Sequence, residues 1–248
     1  MKVSEPINAY LVANARFHDT DFARLSLLQL LAEIPEIRTR VADSFSDTKA
    51  IGESNFLLTY TCDLRPDDVE ERALRDFVSS GKRWIALHGT NAFLDFTPKG
   101  LQCPRSHTIF METLGSRFIS HPPSQPYQVT ISDPGHPLVA GLETFEASDE
   151  IYLCEYYGEV KPLLETRFTG TFQSGYVENE WLDDDPRLVA YTHPVGAGEV
   201  LYITLGHCCG KYDMQPIQEA AKVVRGSWEN PTFMELLRRA LRWGSGKI

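Results

Sequence analysis

Along the first third of the chain the apolar positions switch between two periods. Asn8 to Ala13 is an apolar run that reads as a strand, followed by a polar loop at Asn14 to Asp19. Phe22, Leu25, Leu28, Leu31 and Ile34 then recur at helical spacing until Pro35 ends the run. Ile37 to Val41 and Phe56 to Tyr60 read as two further strands. Pro66-Asp67-Asp68 opens a helix in which Val69, Ala73, Leu74, Phe77 and Val78 share a face, and Gly81 closes it ahead of the run Arg83 to Leu87. This rhythm predicts an α/β protein with a parallel sheet covered by helices on both faces.

The middle of the chain is less regular. A loop rich in Pro, Gly and Cys runs from Phe96 to Arg105, a short helix is expected over His107 to Leu114, and Tyr127 to Ser132 alternates like a strand. The segments around Asp133-Pro134-Gly135-His136-Pro137 and Ser148-Asp149-Glu150-Ile151-Tyr152 are flanked by turn formers, and long irregular segments of this kind are more often functional than decorative. Leu188 to Thr192 and Val200 to Thr204 read as strands joined by the hairpin signal Gly196-Ala197-Gly198. A helix from Pro231 to Trp243, with Phe233, Leu236, Leu237, Ala240 and Leu241 on one face, follows.

Composition narrows the function classes. The 248 residues show no composition shift or linker, so one domain spanning residues 1–248 is expected. With 34 acidic against 24 basic side chains the formal net charge is -10, which disfavours nucleic acid as a partner. Met1 to Pro6 lacks the basic start and apolar core of a signal peptide, and no apolar run reaches the roughly 18 residues of a membrane span. A cytoplasmic location and no membrane partner are the expectations. Cys62, Cys103, Cys154, Cys208 and Cys209 have no CxxC spacing and read as reduced thiols, the adjacent pair Cys208-Cys209 being too strained for a relaxed disulfide.

Two strand ends carry the candidate chemistry. Arg83-Trp84-Ile85-Ala86-Leu87-His88-Gly89-Thr90 and Glu199-Val200-Leu201-Tyr202-Ile203-Thr204-Leu205-Gly206-His207 are apolar runs that each stop at a histidine beside glycine. Ligands and chemistry in open α/β sheets gather at the carboxyl ends of the strands, so His88 and His207 are candidates for one site. His18, in the loop after the first strand, is a third candidate. Imidazole moves protons near neutral pH and binds metals, so the group could do acid/base work or hold a divalent ion. Among the aromatics, Tyr152 and Trp181 are candidate pocket walls.

Five blocks in order resemble the ThuA-like (trehalose utilisation) family. They are Leu87-His88-Gly89-Thr90-Asn91-Ala92-Phe93, Leu114-Gly115-Ser116-Arg117-Phe118 with His121-Pro122, Asp133 with His136-Pro137, Asp149-Glu150-Ile151-Tyr152, and Gly196-Ala197-Gly198 running into Tyr202-Ile203-Thr204-Leu205-Gly206-His207. The resemblance spans roughly Asn8 to Trp243, with Tyr191 standing where relatives commonly carry Trp. It implies a flavodoxin-like, class I glutamine amidotransferase-like fold: a three-layer α/β/α sandwich with a mostly parallel central sheet. It also implies a small sugar-like or carbonyl-bearing substrate, and adds His121, Asp149 and Glu150 to His88 and His207 as catalytic candidates, with Asp149 orienting. Asn91 joins Tyr152 and Trp181 as substrate-binding, while His88, His207 and His18 are the ligands if a divalent metal is bound.

The turn that carries the cysteine nucleophile in amidotransferases carries His88 here, with no Cys or Ser elbow motif beside it. The expectation is therefore hydrolysis, isomerisation or elimination by acid/base or metal-assisted chemistry without a Cys nucleophile. Two other readings stand beside it: a non-catalytic sugar-binding or subunit-interaction module, a homo-oligomer included, and an amidotransferase or peptidase relative using a displaced cysteine.

Overall fold

The computed structural model describes residues 5–248. The alternating first half folds as its periodicity dictates: β1 (Ile7–Ala15), α1 (Thr20–Ala32), β2 (Ile37–Ala42), α2 (Thr48–Glu53), β3 (Phe56–Cys62), α3 (Asp68–Ser79) and β4 (Arg83–Leu87). Asp19 caps α1 by accepting the Phe22 N–H, and Asp67 with Glu70 forms a capping box on α3. After α4 (Thr108–Leu114) the chain turns to strands: β5 (Gln125–Ile131), β6 (Phe145–Asp149), β7 (Lys161–Thr166), β8 (Arg187–Val195) and β9 (Gly198–Ile203). α5 (Pro231–Gly244) follows, capped by Asn230 with Pro231 in its first turn.

These strands form one nine-stranded sheet in the order β2-β1-β3-β4-β9-β8-β7-β5-β6. From β2 to β9 every neighbouring pair is parallel, and from β9 to β6 every pair is antiparallel. The sheet is therefore mixed, which corrects the expectation of a mostly parallel one. The cause lies in the connections: parallel neighbours need a crossover, normally a helix, whereas antiparallel ones close through a short turn. No helix lies between β5 and β9, so that half can only run antiparallel. The strands β6 and β7 were not anticipated because Phe145–Asp149, at the sheet edge, and Lys161–Thr166, between β8 and β5, both mix charged and apolar positions.

Two hydrophobic clusters flank the sheet. α1 and α5 pack in one, through Leu27, Leu31, Phe233, Leu237 and Leu241. α3 and α4 pack in the other, through Leu74, Phe77, Phe110 and Leu114, joined by Ile51 of α2. No helix among the described residues is long and apolar enough to cross a membrane.

The close approach of β3 and the turn after β4 sets the geometry of the site. A Cβ on Gly89 would stand 2.7 Å from Cys62 Cβ and 2.9 Å from the Thr61 carbonyl oxygen. Gly89→Ala is expected to lose about 1–3 kcal/mol of stability by overpacking, read from urea unfolding. Gly52→Ala, at an α2 position with open space around it, should be neutral or stabilising in the same assay.

Candidate active site

Each side chain of the site is delivered by the carboxyl end of a strand. His18 lies in the turn after β1, His88 follows β4, Glu150 follows β6 and His207 follows β9. His121 follows the short strand Ser116–Ser120, which pairs with Leu153–Tyr156 outside the main sheet. His88 opens a 3-10 turn with φ +48, a left-handed conformation uncommon for a residue with a side chain. Its carbonyl accepts a hydrogen bond from the Tyr202 hydroxyl, which fixes that corner.

Main-chain carbonyls set the orientation of the imidazoles. The Nδ1–H of His88 donates to the Thr204 carbonyl at 2.7 Å, and that of His18 donates to the Arg16 carbonyl at 2.7 Å. His121 does the same to the Pro122 carbonyl, also at 2.7 Å. A neutral imidazole that spends its one proton at Nδ1 carries a bare lone pair at Nε2. The Nε2 atoms of His18 and His88 nevertheless face each other at 2.9 Å. Two lone pairs at that distance repel unless a shared proton or a metal cation lies against both.

Glu150 supplies the matching charge. Its carboxylate lies 3.5 Å from His88 Nε2, 3.5 Å from His121 Nε2 and 3.2 Å from His207 Nδ1. The His207 Nδ1 is itself buried and has no hydrogen-bond partner. Burial would raise the Glu150 pKa, but the facing imidazoles, His121 foremost, outweigh it and hold the carboxyl at about 2, ionised at neutral pH. Burial lowers His18 to about 4 and His88 well below the ordinary imidazole value, so both rings are neutral there. One donor atom from each of His18, His88, His207 and Glu150 fits within a 4.8 Å span. Bonds of about 2.1 Å to a common ion would draw such atoms to about 3–4 Å of one another.

Asp149 works on the main chain. Its carboxylate accepts the Glu150 N–H at 2.8 Å, the Gly206 N–H at 2.9 Å and the His207 N–H at 3.2 Å. One buried side chain thereby locks the loop after β6 to the loop after β9. Gly206 sits at φ +129, and its carbonyl takes both the Tyr60 hydroxyl at 2.9 Å and the Trp228 indole N–H at 2.8 Å. The Asp19 N–H bonds the Cys208 carbonyl at 2.9 Å and its carboxylate pairs with Arg225, which ties the His18 turn to the same loop.

The cluster forms one end of a chamber of about 260 Å³. Its walls include Phe17, Leu94, Leu101, Phe118, Tyr152 and Tyr176, so the polar end meets an aromatic and aliphatic enclosure. Of the residues expected from sequence, His18, His121, Glu150, Tyr152 and His207 line the chamber, and His88 lies directly behind His18 and Glu150. Two stand apart. Asn91 is fully buried with its amide donating to Ser116 Oγ, and Trp181 donates to Ser120 Oγ and faces a separate surface hollow beside Arg187. Phe118 and Phe17 were not singled out as pocket walls because single aromatic residues in loops and short strands carry no spacing signal.

Burial raises the thiol pKa of all five cysteines. All five cysteines are free, and Cys62 lines the chamber. Burial pushes its thiol well above the ordinary value, and pushes those of Cys103, Cys154 and Cys208 to about 12.

A family model described as ThuA, trehalose utilisation, matches residues 36–226. No curated protein matches the chain significantly. Among solved structures, a ThuA-like protein from Bacteroides uniformis ATCC 8492 superposes with a TM-score of 0.69 at 16% identity, covering 98% of this chain and 94% of that one. A ThuA-like protein from Parabacteroides merdae ATCC 43184 gives 0.63 at 16% identity, with 98% and 91% covered. A cold-active β-galactosidase from Rahnella sp. R3 gives 0.56 at 14% identity, covering 98% of this chain but 31% of its own. At these identities the likeness is one of fold.

Asp149→Ala leaves three N–H groups without their acceptor, and is expected to cost about 1–3 kcal/mol per group that water cannot reach, read from the denaturation midpoint. Asp149→Asn should lie between wild type and alanine, since an amide oxygen replaces only part of the carboxylate. An alanine variant as stable as wild type would show that Asp149 does not hold the two loops.

Proposed function

The chain belongs to the ThuA family of trehalose utilisation, and we propose that it is a metal-assisted enzyme acting on a small sugar-like or carbonyl-bearing molecule. The observation that carries this reading is the pair of Nε2 lone pairs on His18 and His88, held 2.9 Å apart by carbonyl-anchored Nδ1–H groups beside an ionised carboxylate. Anchoring of the far ring nitrogen on a carbonyl is the usual support of a metal-bound histidine. Three imidazole nitrogens and one carboxylate oxygen suit zinc, and also iron, manganese or nickel. When bound, such an ion polarises a substrate oxygen and stabilises the charge that develops on it.

The other residues have separable tasks. Glu150 balances the charge of the centre and stands 3.5 Å from His121 Nε2. His121 lines the chamber with its Nε2 free, placed to accept a proton from a substrate hydroxyl or from carbon next to a carbonyl, and to return it. Asp149 positions Glu150 and His207 through their main-chain N–H groups. Hydrolysis, isomerisation and elimination all use this combination. The free cysteines fit a reducing, cytoplasmic compartment.

Protein purified without added metal, or loaded with zinc, manganese or iron, is expected to hold about one ion per chain by elemental analysis. His18→Ala, His88→Ala and Glu150→Gln should each reduce that content severalfold. His121→Ala should keep the ion and lose turnover by roughly 10²- to 10⁴-fold, the usual contribution of a general acid/base group. Full metal content in a His18→Ala/His88→Ala double variant would overturn the assignment. A metal-loaded protein that binds sugars without converting any would favour the non-catalytic module instead.

A further inference from the structure

The chamber wall that adjoins His88 and His121 has its own chemistry: ring centroids lie 4.9 Å apart for His88 and Tyr152 and 5.1 Å apart for His121 and Tyr176. Tyr152 and Tyr176 line it and are almost wholly buried, at 3% and 9% exposure. Their hydroxyls make no hydrogen bond within the described residues. Neighbouring buried tyrosines behave differently: Tyr60 donates to the Gly206 carbonyl, Tyr191 to the Leu114 carbonyl and Tyr202 to the His88 carbonyl. The rings of Tyr152 and Tyr176 are buried while their hydroxyls stay uncommitted on a single chamber, so both are donors available to a ligand there. Burial raises both phenols well above their ordinary pKa, so each keeps its proton and can donate.

Between them stands Phe118, with ring centroids 4.6 Å from Tyr152 and 5.7 Å from Tyr176. The Ser174 hydroxyl, also at the wall, is already committed to the His121 carbonyl. The wall therefore presents apolar faces with hydroxyl donors at their margins. A purely apolar ligand would leave both phenols unpaired, which disfavours it. An extended polyol would leave Phe118 and Leu101 uncovered. A six-membered ring with an apolar C–H face and oxygens around its edge satisfies both. At about 260 Å³ the cavity lies just under the roughly 300–1,000 Å³ typical of drug-sized ligands, so it holds one such ring and leaves a second outside the mouth.

We propose that Tyr152, Tyr176 and Phe118 form a single-ring sugar subsite, in which the two hydroxyls donate to oxygens at the edge of the ring and Phe118 packs on the C–H face. The substrate is then a monosaccharide, or one terminal ring of a glycoside, with its reacting oxygen directed at the Glu150 end. This inference rests on the sugar-directed reading of the site, and it assigns no step to the metal.

The test is calorimetric titration and saturation-transfer NMR of the purified full chain with D-glucose, D-galactose, D-mannose, myo-inositol and trehalose. At least one single-ring compound should bind, with saturation strongest on the protons of one ring face. Tyr152→Phe and Tyr176→Phe should each weaken that binding roughly 5- to 10-fold, the loss of one hydrogen bond, with thermal unfolding and metal content unchanged. No binding by any single-ring compound, wild-type affinity in both phenylalanine variants, or trehalose binding more than roughly tenfold tighter than the best single ring would overturn the proposal. Metal content measured on the same samples separates the two readings. Ring binding by a wild-type protein that takes up no metal supports the subsite while counting against the metal centre, and intact metal with unaltered phenylalanine variants does the reverse.

Discussion

The site depends on the Asp149 carboxylate and its three main-chain donors. β6 is the outermost strand of the antiparallel half and β9 lies at the middle of the sheet, so the loops after them would have no reason to meet. A buried carboxylate that accepts N–H groups from Glu150, Gly206 and His207 brings them together. Such charge-assisted bonds are stronger than neutral ones, and leaving any of those donors unsatisfied in a closed interior is costly. The Glu150 carboxylate and the His207 ring are held in register by backbone, which is stiffer than side-chain contact. The rest of the cluster follows the same logic, with imidazoles pinned on carbonyls of Arg16, Thr204 and Pro122.

The two halves of the sheet divide the work. The parallel half delivers His18 and His88 from β1 and β4, as expected of strand carboxyl ends in an α/β sheet. The antiparallel half is where the chain departs from that plan, and it contributes Glu150 and, through β9, His207. β9 borders both halves, pairing parallel with β4 and antiparallel with β8. Its end is accordingly the natural meeting point, and the left-handed Gly206 turns His207 into it.

What the sequence made legible follows from physical range. Strands β1, β3, β4 and β9 and helices α1, α3 and α5 declare themselves through local periodicity and caps, which depend on residues a few positions apart. His88 and His207 were visible for the same reason, since each ends an apolar run beside glycine. His18 offered no more than its place after a strand, and its partnership with His88 is a contact across 70 residues. Asn91 and Trp181 lie away from the chamber, Asn91 because proximity in sequence to His88 does not decide which way a side chain points, and Trp181 because an aromatic ring alone does not say which hollow it faces. Asn91 shares a turn with His88 yet bonds Ser116 behind the chamber. The parallel expectation failed over β5 to β8 because strand direction is set by connection length and not by composition.

The sequence distance between the converging groups has a consequence for how the protein comes into being. His18 and His207 stand near opposite ends of the chain, and their rings lie 5.1 Å apart in the finished fold. Closing so long a loop carries a large entropic cost, and contacts of high sequence separation are slow to form. The histidine cluster therefore exists only once β1 and β9 both stand in the sheet, and a chain lacking either strand lacks the cluster.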